Sequence, residues 1–194
     1  MNQKRLKKKI KFFAKFNGLK ILNIGRLTHQ KDQITLIKSL NLLKIKNVKF
    51  KCVIIGRGIL NNFLNKSVIK YKLEKEVLLA GYKKNAENYI SHSNIFISTS
   101  RYEGLPNVLI EAQKYNIPII SSDCPTGPSE ILLGGKLGDL FKVGDYKMLT
   151  DKILKFHRNK KDLKKKSKLA NFFLFRFDPL SNSLMYKNLI DKVK

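Results

Sequence analysis

Two acidic residues, Glu103 and Glu111, stand eight positions apart where a predicted strand turns into a predicted helix. Pro106 suits the first turn of that helix, because an N–H group at this position would make no intrahelical hydrogen bond. The N–H groups from Gly104 onward would then face outward from the helix N-terminus, which attracts anions. Two carboxylates beside a phosphate-binding helix end fit a ligand that carries both a diphosphate and sugar hydroxyls.

The same two acids also have a purely structural explanation. Glu103 would then be an exposed charge in a loop, and Glu111 would be a buried partner of a lysine. Residues about two helical turns apart lie on one side of a helix, so both acids can also face a common ligand. The spacing permits a binding site and leaves both explanations open.

Two cations, Arg26 and Lys31, follow the first predicted strand in the segment GRLTHQK. They are equally compatible with solvated surface charges, since the chain has forty Lys and Arg residues. Only six of these are arginine, so an arginine directly after a strand-end glycine is the stronger signal. A second loop, GRG at 56–58, has neither the GxGxxG nor the Walker spacing and is weak evidence by itself.

Short apolar runs alternate five times with longer amphipathic stretches. The runs are rich in Ile, Val and Leu, as expected for strands buried on both faces, and cover 21–25, 50–56, 77–81, 95–100 and 117–122. The helical patterns between them cover 32–43, 59–71, 85–92, 106–115 and 129–133. This alternation predicts an α/β fold with a Rossmann-like, doubly wound parallel sheet. Ligands bind such a sheet at the carboxyl ends of its strands, where both the acidic and the basic segments lie.

The pattern divides the chain into three parts. Residues 1–18 form a basic lead-in or linker with seven Lys and Arg and no acid. Residues 19–177 form the Rossmann-like domain, which continues after the fifth helix with a short apolar piece and helices over about 146–157 and 160–175. Residues 178–194 form a C-terminal helix that follows Pro179.

The charge of the chain, +26 at pH 7, means that its surface attracts anions. Most of this charge is lysine, and there is no arginine-rich tract or RNA-binding signature, so we expect no specific nucleic-acid partner. Two distant cysteines argue against a disulfide scaffold or a structural zinc site. With no apolar run near the roughly 20 residues of a bilayer span, we expect a cytoplasmic protein. Peripheral contact with an anionic membrane, at its inner face, stays open.

At these motifs the sequence resembles the C-terminal domain of glycosyltransferase family 4, the group 1 family of GT-B enzymes. The resemblance covers about residues 19–158 and rests on the ordered segments GRLTHQKDQITLIKSL, VIIGRG, LLAGY, SRYEGLPNVLIEA and IISSDCPTGPSEIL. EGLPNVLIEA matches the paired-glutamate motif of the family. The resemblance identifies 19–177 as a nucleotide-sugar-binding domain, the C-terminal half of a GT-B fold. It identifies 178–194 as the C-terminal helix that crosses back to the N-terminal half.

The resemblance also implies the roles of six residues. Glu103 matches the catalytic acid that contacts the donor sugar, and Glu111 matches the acid that binds the ribose hydroxyls. The residues that match those beside the donor diphosphate are Arg26, Lys31, Gly104 and Leu105. Two cations and a helix N-terminus can stabilise a leaving nucleoside diphosphate, and the chain contains no DxD motif, so we expect neither a metal nor another cofactor.

The implied reaction is the transfer, with retention, of a hexosyl unit from a UDP-, GDP- or similar nucleotide-sugar. The segment DCPTGPSEIL is similar to members that act on cell-surface polysaccharide or lipid-linked acceptors. GT-B enzymes have a second, N-terminal Rossmann-like half, yet only eighteen residues precede the first predicted strand. The alternative is therefore a truncated nucleotide-sugar-binding module without independent turnover, with the N-terminal half on another chain.

Overall fold

The computed structural model describes residues 10–193. Six strands are present in these residues: β1 (Leu19–Ile24), β2 (Phe50–Ile55), β3 (Val77–Leu79), β4 (Ile95–Ser98), β5 (Ile119–Ser122) and β6 (Asp139–Phe141). The α-helices are α1 (Gln33–Ile45), α2 (Asn61–Lys70), α3 (Ala86–Ser91), α4 (Asn107–Lys114), α5 (Pro128–Ile131), α6 (Tyr146–Arg158), α7 (Lys161–Phe172) and α8 (Pro179–Val193). Within the same described residues, 3₁₀-helices cover Lys11–Phe13 and Phe173–Phe177.

All six strands are parallel and form one sheet in the order β3-β2-β1-β4-β5-β6. The predicted α/β, Rossmann-like class is therefore confirmed. Every residue of β4 and β5 is buried, which explains why these strands are continuous apolar or small-residue runs rather than alternating ones. Each connection between neighbouring strands is a crossover, as parallel pairing requires.

Helices cover both faces of the sheet, so the core has two layers. Successive residues of β1 show the division, since Ile21 belongs to the layer under α1, α2 and α6, and Leu22 to the layer under α3, α4, α5 and α7. The helix after β1 and the helix after β4 thus lie on opposite faces, although the two strands are neighbours. This is the topological switch point of the sheet, where the two loops separate and leave a crevice.

Several element boundaries differ from the predicted ones. The lysine-dense stretch predicted as one helix over 160–175 ends as α7 at Phe172 and continues as the tighter turn Phe173–Phe177. Phe173 and Phe177 of this turn pack against the core, whereas Phe175 of the turn and Phe172 at the end of α7 are exposed. The change of helix type thus lets a run of aromatic residues divide between core and surface.

The ends of the chain contact the domain in different ways. Ile10 and Phe13 are buried in the same core layer as α4, so this part of the lead-in packs on the sheet. The rest of the lead-in, residues 1–9, lies outside the described residues. Helix α8 instead exposes its large apolar side chains, which are Leu180, Leu184, Met185, Tyr186, Leu189 and Ile190. Among residues 10–193, no helix is both long and apolar enough to cross a bilayer.

Candidate functional site

The two predicted site segments meet at the switch point of the sheet. The loop after β1 and the loop after β4 are joined by backbone and side-chain hydrogen bonds. The Arg101 N–H donates to the carbonyl of Gln30 at 2.8 Å, and the Gln30 amide donates to the carbonyl of Tyr102 at 3.1 Å. The Thr99 hydroxyl donates to the carbonyl of Lys31 at 2.8 Å. These contacts fix the basic loop against the acidic loop.

The centre of this junction is an ion pair between Lys31 and Glu103. Lys31 Nζ lies 2.5 Å from Glu103 Oε1, and the two side chains are only 17% and 6% exposed. The Ser100 hydroxyl donates to the same carboxylate oxygen at 2.6 Å. The methylene groups of Lys31 run along Gly25, where a Cβ would lie 3.3 Å from them. The structural alternative of an exposed Glu103 loop charge is therefore wrong, because the carboxylate is nearly buried and has two donors.

Arg26 lies beside this pair with its backbone and its guanidinium both held. The Gln33 amide donates to the carbonyl of Arg26 at 2.9 Å, and Gln33 is fully buried. The guanidinium of Arg26 donates to Gln30 Oε1 at 3.2 Å and is otherwise exposed. Arg26 thus presents a cation to solvent at the carboxyl edge of the sheet, in the same loop as Lys31.

The turn after Glu103 leaves room for a ligand next to the N-terminus of α4. No atom lies within 4 Å of the point where a Cβ on Gly104 would be, and Leu105 is exposed. Helix α4 begins at Asn107, with Pro106 in a non-helical conformation (ψ 87°) before it. The prediction that the helix starts at Pro106 is wrong by one residue, because Pro106 serves as the cap. Gly104 and Leu105 consequently approach the helix N-terminus from outside.

A second glycine supports this turn from behind. Gly127 has φ 89°, and a Cβ there would overlap the carbonyl of Gly104 and lie 2.6 Å from the ring of Pro106. The Thr126 hydroxyl donates to the carbonyl of Glu103. The loop after β5 therefore forms the floor of the turn, and only a residue without a side chain fits at position 127.

Glu111 lies on α4 with neighbours different from those of Glu103. It is exposed and forms no ion pair within 4 Å with any residue of the described range 10–193. Partial loss of water raises the pKa of Glu111, and the nearby Glu87 carboxylate of α3 raises it further, against an opposing effect of Lys114. Glu87 also accepts a hydrogen bond from Tyr115, one turn beyond Glu111. The alternative of a buried lysine partner for Glu111 is not what the structure shows.

Several residues that the sequence did not single out complete the site. Asp32 is buried in a left-handed conformation (φ 45°) at the start of α1 and lies 3.2 Å from Arg101 Nε. The Thr35 hydroxyl donates to the same Asp32 oxygen at 3.0 Å. Gln30 and Ser100 were also missed. The only sequence signal for Gln30 and Ser100 is that each lies within one of the two chosen segments. The partners of Gln30 on the acidic loop are about 70 positions away, and Ser100 bonds within a turn, so no periodic pattern indicates either residue.

The loops after β2 and β3 extend the same edge of the sheet. A Cβ on Gly56 would overlap the carbonyl of Gly25, so the GRG loop packs directly on the loop after β1. The guanidinium of Arg57 lies 5.9 Å from the centre of the Tyr82 ring, and both side chains are exposed. Aromatic and guanidinium groups at this edge present flat surfaces on the β2–β3 side of the switch point.

A separate cleft lies at the opposite edge of the sheet, away from the candidate site. A cleft of about 500 Å³ opens at the amino ends of the strands, beside Phe16, Lys49 and Lys75. Within residues 10–193, no group of three or more His, Cys, Asp or Glu side chains is placed to hold a metal ion. The candidate site thus combines two cations, one nearly buried carboxylate and an open turn.

The chain was compared with known protein families. The family described as "Glycosyl transferases group 1" matches residues 4–171, which is most of the chain. The chain belongs to the group 1 glycosyltransferase family. The resemblance found in the motifs is thereby confirmed at the level of the group 1 family.

This chain matches only part of the length of each individual relative. An uncharacterised glycosyltransferase of Methanocaldococcus jannaschii is 47% identical over 57% of this chain and 27% of its own length. The amylovoran biosynthesis glycosyltransferase AmsD of Erwinia amylovora is 40% identical over 58% of this chain and 32% of its own. A crystal structure of Staphylococcus aureus TarM with UDP has a TM-score of 0.81 and 26% identity, over 89% of this chain and 35% of TarM. The chain thus spans about a third of the length of these proteins.

Proposed function

We propose that this group 1 chain is the C-terminal, donor-binding half of a family 4 glycosyltransferase with the GT-B fold. The reaction is transfer of a hexosyl unit from a nucleotide-sugar to a cell-surface polysaccharide or lipid-linked acceptor. The transfer proceeds with retention and without a metal. The observation that supports this best is the Lys31–Glu103 pair at the switch point, with Arg26 and the open turn at Gly104 beside it.

The cations of the site suit a leaving nucleoside diphosphate. When the bond between the sugar and the diphosphate breaks, negative charge develops on the diphosphate oxygens. Arg26 and Lys31 stabilise that charge, as do backbone N–H groups of Gly104 and Leu105 and the N-terminus of α4. Preorganised cations act in this way without a metal ion, which is why no metal enters the proposal.

The carboxylate of Glu103 suits the donor sugar. Its Oε1 already accepts from Lys31 and Ser100, while its Oε2 accepts no hydrogen bond from another described residue. Oε2 is therefore available to a sugar hydroxyl, which would place the hexosyl unit against the diphosphate-binding cations. The burial of the carboxylate strengthens this contact, because charges interact more strongly away from water.

Glu111 suits the ribose on the opposite side of the diphosphate. It lies on α4, eight residues after Glu103, and is near Glu87 at the start of α3. Neighbouring ribose hydroxyls can both donate to one carboxylate, and such charge-assisted hydrogen bonds are strong. A nucleotide would then run from Glu103 past Arg26 to Glu111.

The acceptor is proposed to bind at a partner half. The donor edge is an open crevice, and α8 exposes a row of apolar side chains beyond the last strand. An N-terminal GT-B half, in the same protein or on another chain, would cover both surfaces. The name of another relative, the capsular polysaccharide biosynthesis glycosyltransferase CapM of Staphylococcus aureus, supports a polysaccharide acceptor. The alternative function is a module that binds nucleotide-sugar without turnover of its own. Contact with an anionic membrane is a separate proposal and is compatible with both functions.

Titrations of two nucleotides into three proteins test the donor site. UDP and GDP are titrated calorimetrically into wild type, Lys31→Ala and Lys66→Ala, where Lys66 is an exposed lysine on α2. Loss of a charge-assisted contact is worth about 1.5–3 kcal/mol, so Lys31→Ala should weaken binding about tenfold to a hundredfold. Lys66→Ala should bind as wild type does. Absence of UDP and GDP binding by wild type, or equal effects of both variants, contradicts the proposal.

A turnover assay separates the enzyme from the binding module. The purified chain is given UDP- and GDP-sugars with lipid-linked and polysaccharide acceptors, alone and with a candidate N-terminal half. Transfer by the chain alone contradicts the module, whereas binding without transfer until the second half is added supports it.

A further inference from the structure

Gln30 makes three hydrogen bonds that all converge on the proposed diphosphate site. Its carbonyl accepts from the Arg101 N–H at 2.8 Å, and its side-chain N–H donates to the carbonyl of Tyr102 at 3.1 Å. Its side-chain oxygen accepts from the guanidinium of Arg26 at 3.2 Å. One residue thus joins the basic loop to the acidic loop and also contacts the exposed cation.

The chemistry of its neighbours allows the Gln30 amide a single orientation. A backbone carbonyl only accepts hydrogen bonds, and a guanidinium only donates them. The amide nitrogen must therefore face Tyr102, and the amide oxygen must face Arg26. Because the acidic loop is itself fixed by the Lys31–Glu103 pair, the oxygen is held at a defined point beside the guanidinium.

We propose that Gln30 is a positioning residue that orients Arg26 towards the donor diphosphate, a role that rests on the proposed function. An exposed arginine has many rotamers, and fixing it when the ligand binds costs conformational entropy. The Gln30 oxygen reduces that cost by holding the guanidinium before the ligand arrives, while the Gln33 amide holds the Arg26 backbone. Gln30 itself touches the cation and not the ligand, so it acts through Arg26.

A double-mutant cycle tests this role. Gln30→Met keeps the length of the side chain and removes both side-chain hydrogen bonds. UDP affinity should fall about twofold to tenfold, the range of one hydrogen bond, whereas uridine affinity should not change. In an Arg26→Ala background, Gln30→Met should have no further effect on UDP affinity, because the cation that it orients is gone.

A purely structural role would give a different result. If Gln30 only joins the two loops, Gln30→Met lowers UDP affinity by the same factor with and without Arg26, and that additivity overturns the proposal. Unchanged UDP affinity in Gln30→Met overturns it as well. Failure of wild type to bind UDP or GDP contradicts the proposed function instead, so the two failures are distinguishable.

A second variant covers the case in which Gln30→Met does not fold, as judged by its thermal melt. Gln30→Glu keeps the size of the side chain and an acceptor oxygen for Arg26. It loses the N–H that donates to the Tyr102 carbonyl, and its carboxylate pairs with Arg26 and neutralises it. UDP affinity should fall by more than tenfold, and added salt should relieve part of the loss because it screens the new charge. A Gln30→Glu variant with the UDP affinity of wild type overturns the proposal.

Discussion

Lys31 Nζ and Glu103 Oε1 lie 2.5 Å apart although their residues are separated by 72 positions in the sequence. The contact exists because β1 and β4 are neighbours in the sheet, which places the loops after them side by side. The pair keeps each charge in place while both side chains are largely shielded from water. In the proposed function, this pair would place a cation for the diphosphate next to an acid for the sugar.

Glu103→Gln should separate binding from transfer. The substitution keeps the size of the side chain and the hydrogen bond from Ser100, but it removes the charge that pairs with Lys31. We expect UDP affinity to change by less than about threefold, because UDP lacks the sugar that Glu103 is proposed to contact. The rate of transfer should fall about a hundredfold or more. Titration of UDP and a transfer assay measure the two effects. An equal loss of binding and transfer would place Glu103 on the nucleotide instead.

Glu111→Gln should weaken nucleotide binding with little loss of stability. The side chain is exposed and has no ion-pair partner among residues 10–193. Its negative charge therefore does not stabilise the folded chain. Loss of a charge-assisted hydrogen bond to ribose should lower UDP affinity about tenfold to a hundredfold. The matched control is Glu74→Gln, an exposed acid between α2 and β3. Wild-type affinity in Glu111→Gln would remove the ribose role.

The raised pKa of Glu111 predicts opposite pH trends for stability and binding. Loss of water and the Glu87 carboxylate favour the protonated form in the folded chain. Its contribution to the free energy of unfolding is therefore largest in acid and decreases as pH rises from the ordinary glutamate pKa through the raised one. Nucleotide affinity should instead fall as pH decreases through the raised pKa, since ribose hydroxyls donate to the carboxylate. UDP titrations across this window should lose that dependence in Glu111→Gln.

Gly127→Ala should disturb the turn at Gly104 and so weaken UDP binding. An added Cβ combines a positive φ of 89° with an overlap on the Gly104 carbonyl, and such strain costs about 1–3 kcal/mol of stability. The matched control is Gly144→Ala, because Gly144 has φ 76° and open space around its Cβ position. Both variants should melt below wild type, but only Gly127→Ala should lose UDP affinity. An equal effect on affinity in both would contradict a role of the Gly104 turn in nucleotide binding.

Arg26→Ala should distinguish the two ends of the nucleotide. Its proposed contact is to phosphate, so UDP affinity should fall about tenfold while uridine affinity stays at the wild-type value. Arg158→Ala is the control, since Arg158 is an exposed arginine at the end of α6. Parallel titrations of UDP and uridine into each variant measure the effect. Equal loss of UDP and uridine binding in Arg26→Ala would contradict a phosphate contact.

The local features of the site were predictable because they depend on short segments. Runs of Ile, Val and Leu identify β1 to β5 within about two residues at most ends, since burial on both faces requires apolar side chains throughout. Amphipathic stretches identify α1, α2 and α6 in the same way. The motif EGLPNVLIEA indicates a turn into a helix, and its resemblance to the group 1 family gives the roles proposed for Glu103 and Glu111.

The partners of these side chains were decided only by the tertiary structure. Periodicity reports which face of an element is buried, but it carries no information on which strand lies next to which. The strand order places β1 beside β4 and so brings Lys31 to Glu103 and Gln30 to Tyr102. Neither contact can be predicted from the positions of these residues along the chain. In the same way, the sequence shows only that Gly127 precedes a proline, a pair typical of turns. Only the packing of the loop after β5 on the Gly104 carbonyl shows why that position excludes a side chain.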